Sequence, residues 1–295
     1  MDDQQQWLAE RFEEHRPRLR AVAYRMLGSL SEADDAVQDA WLRVSRADTS
    51  EVENLGAWLT TIVARVSLNL LRSRKTRREA SLDDVHVPDP IIAPVDGTDP
   101  EHEALLADSV GLALLVVLET LTPPERLAFV LHDMFGVPFE QIAPIVDRSS
   151  DAARQLASRA RRRVRGAAPM PDADLGAQWE VVEAFLAAAH EGNFDGLLEV
   201  LDPDVVLRAD GGDVADLSRL VRGAEAVASS ATVWSKVGLD MRRALINGTP
   251  GFVSLRDGKP FSVGAVTISG GRIVEMDILA DPERVAKLDL AVLGG

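Results

Sequence analysis

The chain has 295 residues, no cysteine, five histidines and a formal net charge of −15. This length predicts two or three domains, and the composition excludes disulfides and thiolate metal sites, so we expect neither a metal nor a cofactor. The start, Met1–Gln4, is polar and acidic, unlike a secretory signal, and the longest apolar run, Val110–Leu118, is too short to cross a bilayer. We therefore expect a cytoplasmic protein that makes no membrane contact.

Basic residues are concentrated in two segments of this acidic chain. Residues 65–78 contain arginines and a lysine but no acid, and residues 150–165 contain one acid, Asp151. DNA repels an acidic chain in general, but a local basic segment can still fit the duplex. The distribution predicts weak DNA binding unless a partner holds the chain in place.

Hydrophobic residues at helical spacing predict three helices in the first 80 residues. These cover Trp7–Leu27, Ala33–Arg46 and Gly56–Arg78. The second helix has a polar face rich in acids, and such a face is commonly only solvated. Its sequence alone therefore assigns it no partner.

The helix over Gly56–Arg78 carries a stripe of aromatic, polar and cationic side chains beside its apolar face. Unpaired bases stack on aromatic side chains while cations neutralise the backbone, so the stripe fits single-stranded nucleic acid. The alternative, that Trp58 is a core residue, is equally compatible with the pattern. The stripe and the basic run after it comprise Trp58, Thr61, Arg65, Asn69, Arg72, Arg74, Lys75, Arg77 and Arg78.

Two further segments precede the second basic region. Glu79–His102 contains four prolines and several aspartates without an apolar period, which predicts an extended linker. Glu103–Leu121 is predicted to be a helix. Thr122 and Glu125 then form a capping-box motif, which predicts that a new helix begins at Pro123.

A helix-turn-helix is predicted next. It consists of a short helix over Phe139–Val146, a break at Asp147–Ser149 and a longer helix over Ser150–Val164. In this motif the second helix lies in the DNA major groove. Two features depart from the usual motif: Pro144 lies inside the first helix, and the turn contains no glycine. The sequence therefore predicts the corner but not its backbone geometry.

The second helix of this motif has a polar face dominated by arginine. Arginine suits phosphates and the acceptor edge of guanine, so the face fits DNA, the alternative being a solvated basic helix. The candidate DNA-contacting residues are Ser149, Ser150, Arg154, Gln155, Ser158, Arg159, Arg161, Arg162 and Arg165.

The last third of the chain predicts an α+β domain, because helices come first and a series of strands joined by tight turns follows. Asn247-Gly248, Asp257-Gly258 and Gly270-Gly271 are hairpin turn signals. The predicted helices are Gln178–Glu191, Phe194–Leu201 and Ala224–Val237, and the predicted strands are Val205–Arg208, Met241–Ile246, Gly251–Leu255, Phe261–Ile268 and Arg272–Leu279.

In this order the pieces resemble a bacterial sigma factor of the extracytoplasmic-function group of the sigma-70 family. Ala33–Leu42 resembles the family's polymerase-binding helix, Ala57–Arg78 its promoter-melting, minus-ten-reading helix, and Leu121–Arg165 its minus-thirty-five-reading domain. The resemblance implies two partners, promoter DNA and the core RNA polymerase that would overcome the chain's repulsion from DNA. It makes these residues candidates for binding the polymerase: Asp34, Asp35, Gln38, Asp39, Trp41 and Leu42.

The C-terminal third resembles a SnoaL-like domain, a conical sheet wrapped by helices that often encloses a pocket. Sigma factors with such a tail form a subgroup in which the tail modulates activity. Asp210, Gly211 and Gly212 match the aspartate-glycine motif of those tails, and Asp281–Glu283 loosely resembles their terminal motif, whereas the linker tryptophan-proline motif is absent. The resemblance implies a regulatory role for Asp210, Gly211 and Gly212, and a pocket able to take a small-molecule ligand.

The expected fold class is therefore multidomain, with two all-α DNA-binding domains, the second carrying the helix-turn-helix, followed by an α+β SnoaL-like cone-shaped domain. The expected domains are a sigma region 2 domain over 1–80, a flexible linker over 81–102, a sigma region 4 domain over 103–166, a linker over 167–174 and a regulatory SnoaL-like domain over 175–295.

The expected function is that of a sigma factor, not an enzyme, which directs core polymerase to promoters and is modulated by its own tail. An enzymatic alternative rests on SnoaL-like cyclases and isomerases, whose pocket carboxylates move protons. Asp210 and Asp277 are its candidates, although no histidine lies nearby in sequence to pair with either. A ligand-sensing repressor would also share the helix-turn-helix and the pocket, but it leaves the acidic helix and Trp58–Arg78 unexplained.

Overall fold

The computed structural model describes residues 3–49, 52–78, 85–95, 111–214, 217–288 and 290. Its contacts divide the chain into two compact units. The first combines Met1–Leu82 with Val117–Ala167, and the second combines Asp83–Val116 with Ala168–Gly295. Much of the predicted linker, and the predicted helix before residue 111, lie outside the described residues. None of the described helices is long and apolar enough to span a bilayer.

Three helices begin the first unit, as the hydrophobic period predicts. Gly28, at φ +71°, follows the first of them, a conformation that glycine adopts without strain. The helices pack through their apolar faces, which bury large side chains such as Phe12, Leu19 and Leu59 completely. Their bounds are α1 Asp3–Leu27, α2 Leu30–Val44 and α3 Leu55–Arg78.

Four more helices follow in the chain. Thr122 N–H and Thr122 Oγ1 both donate to Glu125 Oε2, at 3.2 and 2.8 Å, so the reciprocal bond of the predicted capping box forms. The helix that begins there continues as a π-helical turn over Val130–Met134. The four helices are α4 Leu112–Glu119, α5 Pro123–Phe129, α6 Phe139–Val146 and α7 Ser150–Ala167.

The second unit contains a seven-stranded mixed sheet with the order β1-β4-β5-β6-β7-β2-β3. β2 and β7 pair in parallel, and every other neighbouring pair is antiparallel. Its helices are α8 Leu175–Glu191, α9 Phe194–Val200, α10 Ala224–Ser235 and α11 Pro282–Val285. Its strands are β1 Ile92–Ala93, β2 Leu201–Asp210, β3 Arg219–Arg222, β4 Asp240–Ile246, β5 Thr249–Arg256, β6 Lys259–Ser269 and β7 Arg272–Leu279.

The three predicted hairpin turns form where the turn signals stand. Asn247 and Gly248 have φ of 51° and 79°, and Asp257 and Gly258 have 52° and 74°. Positive φ at both central residues is the requirement of a type I′ turn, which explains the Asn-Gly and Asp-Gly pairs. These turns set the antiparallel register of β4, β5 and β6.

One face of the sheet packs against helices and forms the core of the second unit. Val182 and Phe185 of α8, Leu197 of α9 and Val227 of α10 are buried against strand residues that include Phe252. The aromatic rings of Phe185 and Phe252 stack with centroids 6.4 Å apart. Helix α8, which the sequence predicts over Gln178–Glu191, therefore packs one side against this core.

Part of the predicted linker is ordered against the sheet, which corrects the expectation of an extended, flexible segment. Ile92 and Ala93 form β1 and pair with Ile246 and Leu245. Ile91, Ile92 and Ala93 are at most 8% exposed. The sequence did not predict β1, because a strand of two residues is too short to show an alternating pattern among the surrounding prolines and aspartates.

Candidate nucleic-acid interface and pocket

Helix α7 presents the polar face that its sequence predicts. Ala153, Ala157 and Ala160 are buried on the inner side. The opposite side exposes Ser149, Arg154, Gln155, Ser158, Arg159, Arg162 and Arg165, while Ser150 and Arg161 are half-buried. Small alanines allow α7 to lie close to its neighbours while the longer cationic side chains extend outward.

Some of the arginines on α7 are bound within the fold. Arg161 Nε lies 2.8 Å from Asp133 Oδ1. Arg159 and Arg163 both pair with the buried carboxylate of Glu125, at 3.4 and 3.2 Å. A buried acid that faces two cations ties α7 to the start of α5, so these arginines contribute to the internal packing of the motif.

Other arginines of α7 are available to a ligand. Arg162 and Arg165 form no ion pair with any residue that the structure describes. Arg154 makes an exposed pair with Asp151 at 2.7 Å, and its guanidinium lies 5.3 Å from the ring centroid of Phe139. Exposed pairs of this kind are weak and can be exchanged for a phosphate or a base. Arg154 therefore lies on the accessible face in the first turns of the helix.

The corner between α6 and α7 forms without glycine. Asp147 takes the left-handed conformation, with φ 57° and ψ 51°, that ends α6. Aspartate tolerates this region better than most residues do, which explains its use in place of glycine. Ser149 Oγ then accepts a hydrogen bond from Ala152 N–H at 3.3 Å at the start of α7. Pro144 lies within α6 without ending it.

The predicted stripe on α3 is accessible. Trp58 and Thr61 are half-buried, and Arg65, Asn69 and Arg72 are exposed. The five positions recur every three or four residues, so they share one side of the helix. Trp58 is thus not a fully buried core residue, and part of it remains accessible to a base.

Among the residues at the end of the basic run, the structure describes the side chain of Arg74. Arg74 turns to the interior of the first unit, where its Nε donates to Glu32 Oε1 at 3.0 Å and its Nη1 to Leu27 O at 2.8 Å. Its predicted contact with DNA is therefore replaced by a structural contact that joins α3 to the junction of α1 and α2. The side chains of Lys75, Arg77 and Arg78 lie outside the described residues.

Helix α2 exposes the acidic face that the sequence predicts. Asp34, Asp35, Gln38 and Leu42 are exposed, and Asp39 is half-buried. Arg20 pairs with Asp34 at 2.6 Å and Arg43 with Asp39 at 2.8 Å, whereas Asp35 has no partner among the described residues. Trp41 packs on Phe12, with ring centroids 5.0 Å apart. The face combines acids with a large exposed apolar side chain, Leu42.

Arg126 is a buried cation in this unit that no local sequence pattern indicates. Its Nε donates to Arg25 O at 3.1 Å, which joins α5 to the end of α1. Burial lowers the pKa of Arg126 to about 10, with Glu119 opposing that shift and Arg74 adding to it. The side chain therefore stays charged at neutral pH and acts as an internal support.

In the second unit, Asp210 and Arg284 clasp the segment that precedes β1. Asp210 Oδ2 accepts hydrogen bonds from Val87 N–H at 2.9 Å and from Arg284 Nη1 at 2.7 Å. Arg284 also donates to Asp89 Oδ1 at 2.8 Å through Nε and to Val87 O at 2.6 Å through Nη2. These contacts among Val87, Asp89, Asp210 and Arg284, here called the clasp, join the predicted linker to the aspartate-glycine motif and to the residue that follows the terminal motif.

The electrostatics of the clasp favour an ionised Asp210. Burial raises the pKa of Asp210, but hydrogen bonds from His86, Val87 N–H and Gly212 N–H, together with the charge of Arg284, outweigh burial and lower the pKa to about 2. Gly212 has φ +58°, and a Cβ there would collide with Asp281. The local geometry therefore requires glycine at position 212.

A cavity of about 610 Å³ lies between the sheet and helices α8 and α10. Its walls are mostly aromatic and aliphatic. Arg219, His190 and Asp240 are the titratable side chains among the described residues that line it. Apolar lining residues include Phe185, Leu207, Val227, Trp234, Phe252, Met276 and Ile278. This size and lining are typical of pockets for small organic molecules.

The two carboxylates proposed for catalysis do not line this cavity. Met276 and Ile278 line it, so strand alternation directs Asp277 to the opposite face of the sheet. There Arg208 Nη1 binds Asp277 Oδ1 at 3.0 Å and also pairs with Glu275. Asp210 is held in the clasp. Neither carboxylate is therefore positioned as a base for a molecule in the cavity.

Asp277 should make the stability of the second unit depend on pH. Burial raises the pKa of Asp277 from 3.8 to about 6, with Arg208 opposing the shift. The folded state then retains a proton that the unfolded state releases, so the stabilisation is complete below about pH 4 and is lost as pH rises through 6. We expect the free energy of unfolding of wild type, measured in urea, to fall relative to that of Asp277→Asn as pH rises from 4 to 7.5.

The exposed Asp204 provides the control for this comparison. Asp204→Asn should follow wild type at every pH. A stability difference between wild type and Asp277→Asn that is constant across the range would contradict the predicted titration.

Comparisons with known proteins agree with the geometry of the helical unit. Residues 11–77 match the family described as Sigma-70 region 2, and residues 111–164 match Sigma-70, region 4. The ECF RNA polymerase sigma factor SigJ of Mycobacterium tuberculosis is 37% identical over 293 residues, covering 92% of this chain and 91% of SigJ. The probable ECF RNA polymerase sigma factor SigI of the same organism is 34% identical over 284 residues, covering 95% and 96%.

The fold is also similar to a solved structure along nearly its whole length. The crystal structure of Mycobacterium tuberculosis SigJ superimposes with a TM-score of 0.75 at 33% identity, covering 96% of this chain and 99% of that one. The similarity includes the C-terminal unit as well as both sigma regions. The resemblance of the sequence to sigma factors is thereby confirmed, and this chain belongs to the extracytoplasmic-function group of sigma-70 RNA polymerase sigma factors.

Proposed function

We propose that the three exposed faces of the first unit divide the work of promoter recognition. The α3 stripe, led by Trp58 and Arg65, stacks on and neutralises the melted minus-ten strand. The α7 face, led by Arg154, reads the minus-thirty-five element, and the acidic face of α2 docks on core polymerase. The observation that carries this assignment is that each face is accessible and lies opposite a buried apolar face.

The charge of the chain supports a need for the polymerase. At −15, the whole chain is repelled by DNA as it approaches, and this repulsion acts within about a Debye length, roughly 8 Å at physiological ionic strength, because salt screens it at longer range. The arginines on α3 and α7 act only where contact is already made. A partner that accepts the acids of α2 would hold those arginines on the promoter.

We further propose that the second unit modulates activity through the clasp on the segment around Val87 and Ile91. That segment belongs to the connection between the two sigma regions. Holding it through Asp210, Arg284 and Asn247 limits the arrangements that the connection can adopt. Releasing the clasp would therefore change transcription output without changing the promoter that is read.

The finer features of the tail belong to the same proposal. A mixed sheet that is covered by helices and encloses a cavity supports the SnoaL-like description over 175–295, and the cavity is proposed to take a small-molecule ligand. The orientation of Asp277 and the clasped state of Asp210 support a tail without catalytic activity. We also propose the boundaries 1–80, 81–102, 103–166 and 167–174 for the other segments, and a cytoplasmic location for the protein.

Arg154→Ala tests the assignment of α7. If Arg154 contacts a base, the variant should weaken recognition of the upstream element by about 1–3 kcal/mol, which is roughly tenfold to a hundredfold. The measurement is transcription from the cognate promoter with core polymerase over a range of factor concentrations. The same measurement on a promoter with a scrambled upstream element should show no difference between variant and wild type.

Arg222→Ala is the matched control for loss of charge, because Arg222 is an exposed arginine of β3 in the other unit. It should behave as wild type on both promoters. Equal losses for Arg154→Ala on the intact and scrambled promoters would show that Arg154 contributes only general attraction to DNA, and the base-reading assignment would fail.

A further inference from the structure

The cavity of the second unit contains polar groups that its own fold leaves without hydrogen-bond partners. Among the described residues, none bonds to Arg219 Nε or Ser230 Oγ, and both atoms are buried. Ser254 and Ser262 also line the cavity and are 2% and 5% exposed, and no described group forms a hydrogen bond with either hydroxyl. Buried polar groups are nearly always paired, so this set indicates a binding partner.

Arg219 gives the cavity a positive end. Its guanidinium lies 5.6 Å from the ring centroid of Trp234, which supports one face of the group. The acid at the rim, Asp240, is exposed and pairs with Arg242 at 3.2 Å instead. A guanidinium beside an apolar wall and without a counter-ion in the described part of the chain is suited to a carboxylate, which can accept two parallel hydrogen bonds.

The two buried serines form a second polar group in the cavity, separate from Arg219. Ser254 of β5 and Ser262 of β6 lie directly opposite each other in the sheet register, so their hydroxyls can share one polar group. Four strand spacings separate β5 from β3 across the sheet, roughly 19 Å if the sheet were flat and less when it is curved. Apolar side chains of the intervening strands β7 and β2, such as Ile278 and Leu207, line the cavity between them.

We propose that this cavity binds an elongated, amphipathic organic carboxylate. The carboxylate lies on Arg219 and Ser230, the apolar body follows the aromatic and aliphatic wall, and a hydroxyl or carbonyl at the far end meets Ser254 and Ser262. The proposal rests on the one above that the cavity takes a small-molecule ligand, and it names the chemistry of that ligand. Neutral and cationic analogues of the same length are selected against, because they leave Arg219 unpaired.

The test uses isothermal titration of the full-length chain with matched ten-carbon probes. Decanoate should bind saturably at one site per chain, decanol at least tenfold more weakly and decylammonium not at all. 10-Hydroxydecanoate should bind several-fold more tightly than decanoate, and Ser254→Ala should remove that gain. Equal affinity for decanoate and decanol, or no saturable binding of decanoate, would overturn the proposal; no gain from the hydroxyl would overturn the role of the serines.

Arg219→Gln and Arg222→Gln form a matched pair of variants, because the residues lie on one strand but alternate between its faces. In Arg219→Gln the affinity for decanoate should fall to that for decanol, while retained decanol binding shows that the cavity is intact. Arg222→Gln should leave both affinities unchanged. Unchanged decanoate affinity in Arg219→Gln would refute the assignment. No polymerase or promoter is present, so failure here leaves the transcriptional role untouched.

Discussion

Arg284→Ala should release the segment around Val87 from the second unit. Removing the guanidinium leaves the carboxylates of Asp89 and Asp210 buried beside each other without their shared cation. Breaking a buried ion pair by removing one partner costs about 3–5 kcal/mol. In wild type Asp210 is ionised above about pH 2, so Arg284 faces a charged carboxylate at any physiological pH.

Hydrogen exchange of residues 86–93 measures this release directly. Val87 N–H donates to Asp210 and Ile91 N–H donates to Asn247, at 2.9 Å each, so both amides should be protected in wild type. A cost of 3 kcal/mol corresponds to exchange roughly a hundredfold faster. Transcription output should change in the same variant while the promoter preference stays the same.

Two controls separate the clasp from general damage. Arg222→Ala removes an exposed arginine of the same unit and should leave exchange in residues 86–93 unchanged. Amides of β5, which pairs with β4 and β6 and makes no contact with Arg284, should keep their protection in Arg284→Ala. If residues 86–93 remain protected without Arg284, the clasp does not hold the segment and the proposed route of modulation is wrong.

Asp35→Arg should weaken binding to core polymerase by at least tenfold. Asp35 is exposed on α2 and has no partner among the described residues, so reversing its charge leaves the fold within about 0.5 kcal/mol of wild type. Like charges brought together at an interface cost several kcal/mol of binding free energy. Because each 1.4 kcal/mol changes the dissociation constant tenfold, the affinity should fall by at least that factor. The measurement is equilibrium binding of labelled variant to core enzyme at two salt concentrations.

Glu199→Arg is the matched control, because Glu199 is also an exposed helical acid but lies on α9 in the other unit. It makes the same change in net charge and should bind as wild type. Equal losses for the two variants would mean that the polymerase responds only to overall charge, which would contradict docking through the face of α2.

The long periodic helices and the hairpins could be predicted from sequence because their signals are local. The α7 face and the α3 stripe follow from a 3.6-residue period over many turns, and the Asn-Gly and Asp-Gly pairs specify their own turn type. The bounds of α6 and β7 agree with the prediction residue for residue. Those elements placed most of the candidate DNA-contacting residues on accessible surfaces.

The missed features depend on partners that are distant in the chain. β1, β3 and α11 span two to four residues, too few for a period to appear. The inward turn of Arg74 depends on Glu32, 42 positions away, and the clasp joins Asp89 to Arg284, 195 positions away. No local pattern carries that information. The polar groups of the cavity likewise come together only when β3, β5 and β6 share one curved sheet.

The most direct test of the central claim is run-off transcription with purified full-length protein, core RNA polymerase and a promoter selected by that holoenzyme. We expect specific transcripts only when protein and core enzyme are both present, and loss of transcripts when either promoter element is scrambled. Retention of the specific duplex by the protein alone, with no effect of added core enzyme, would contradict the account.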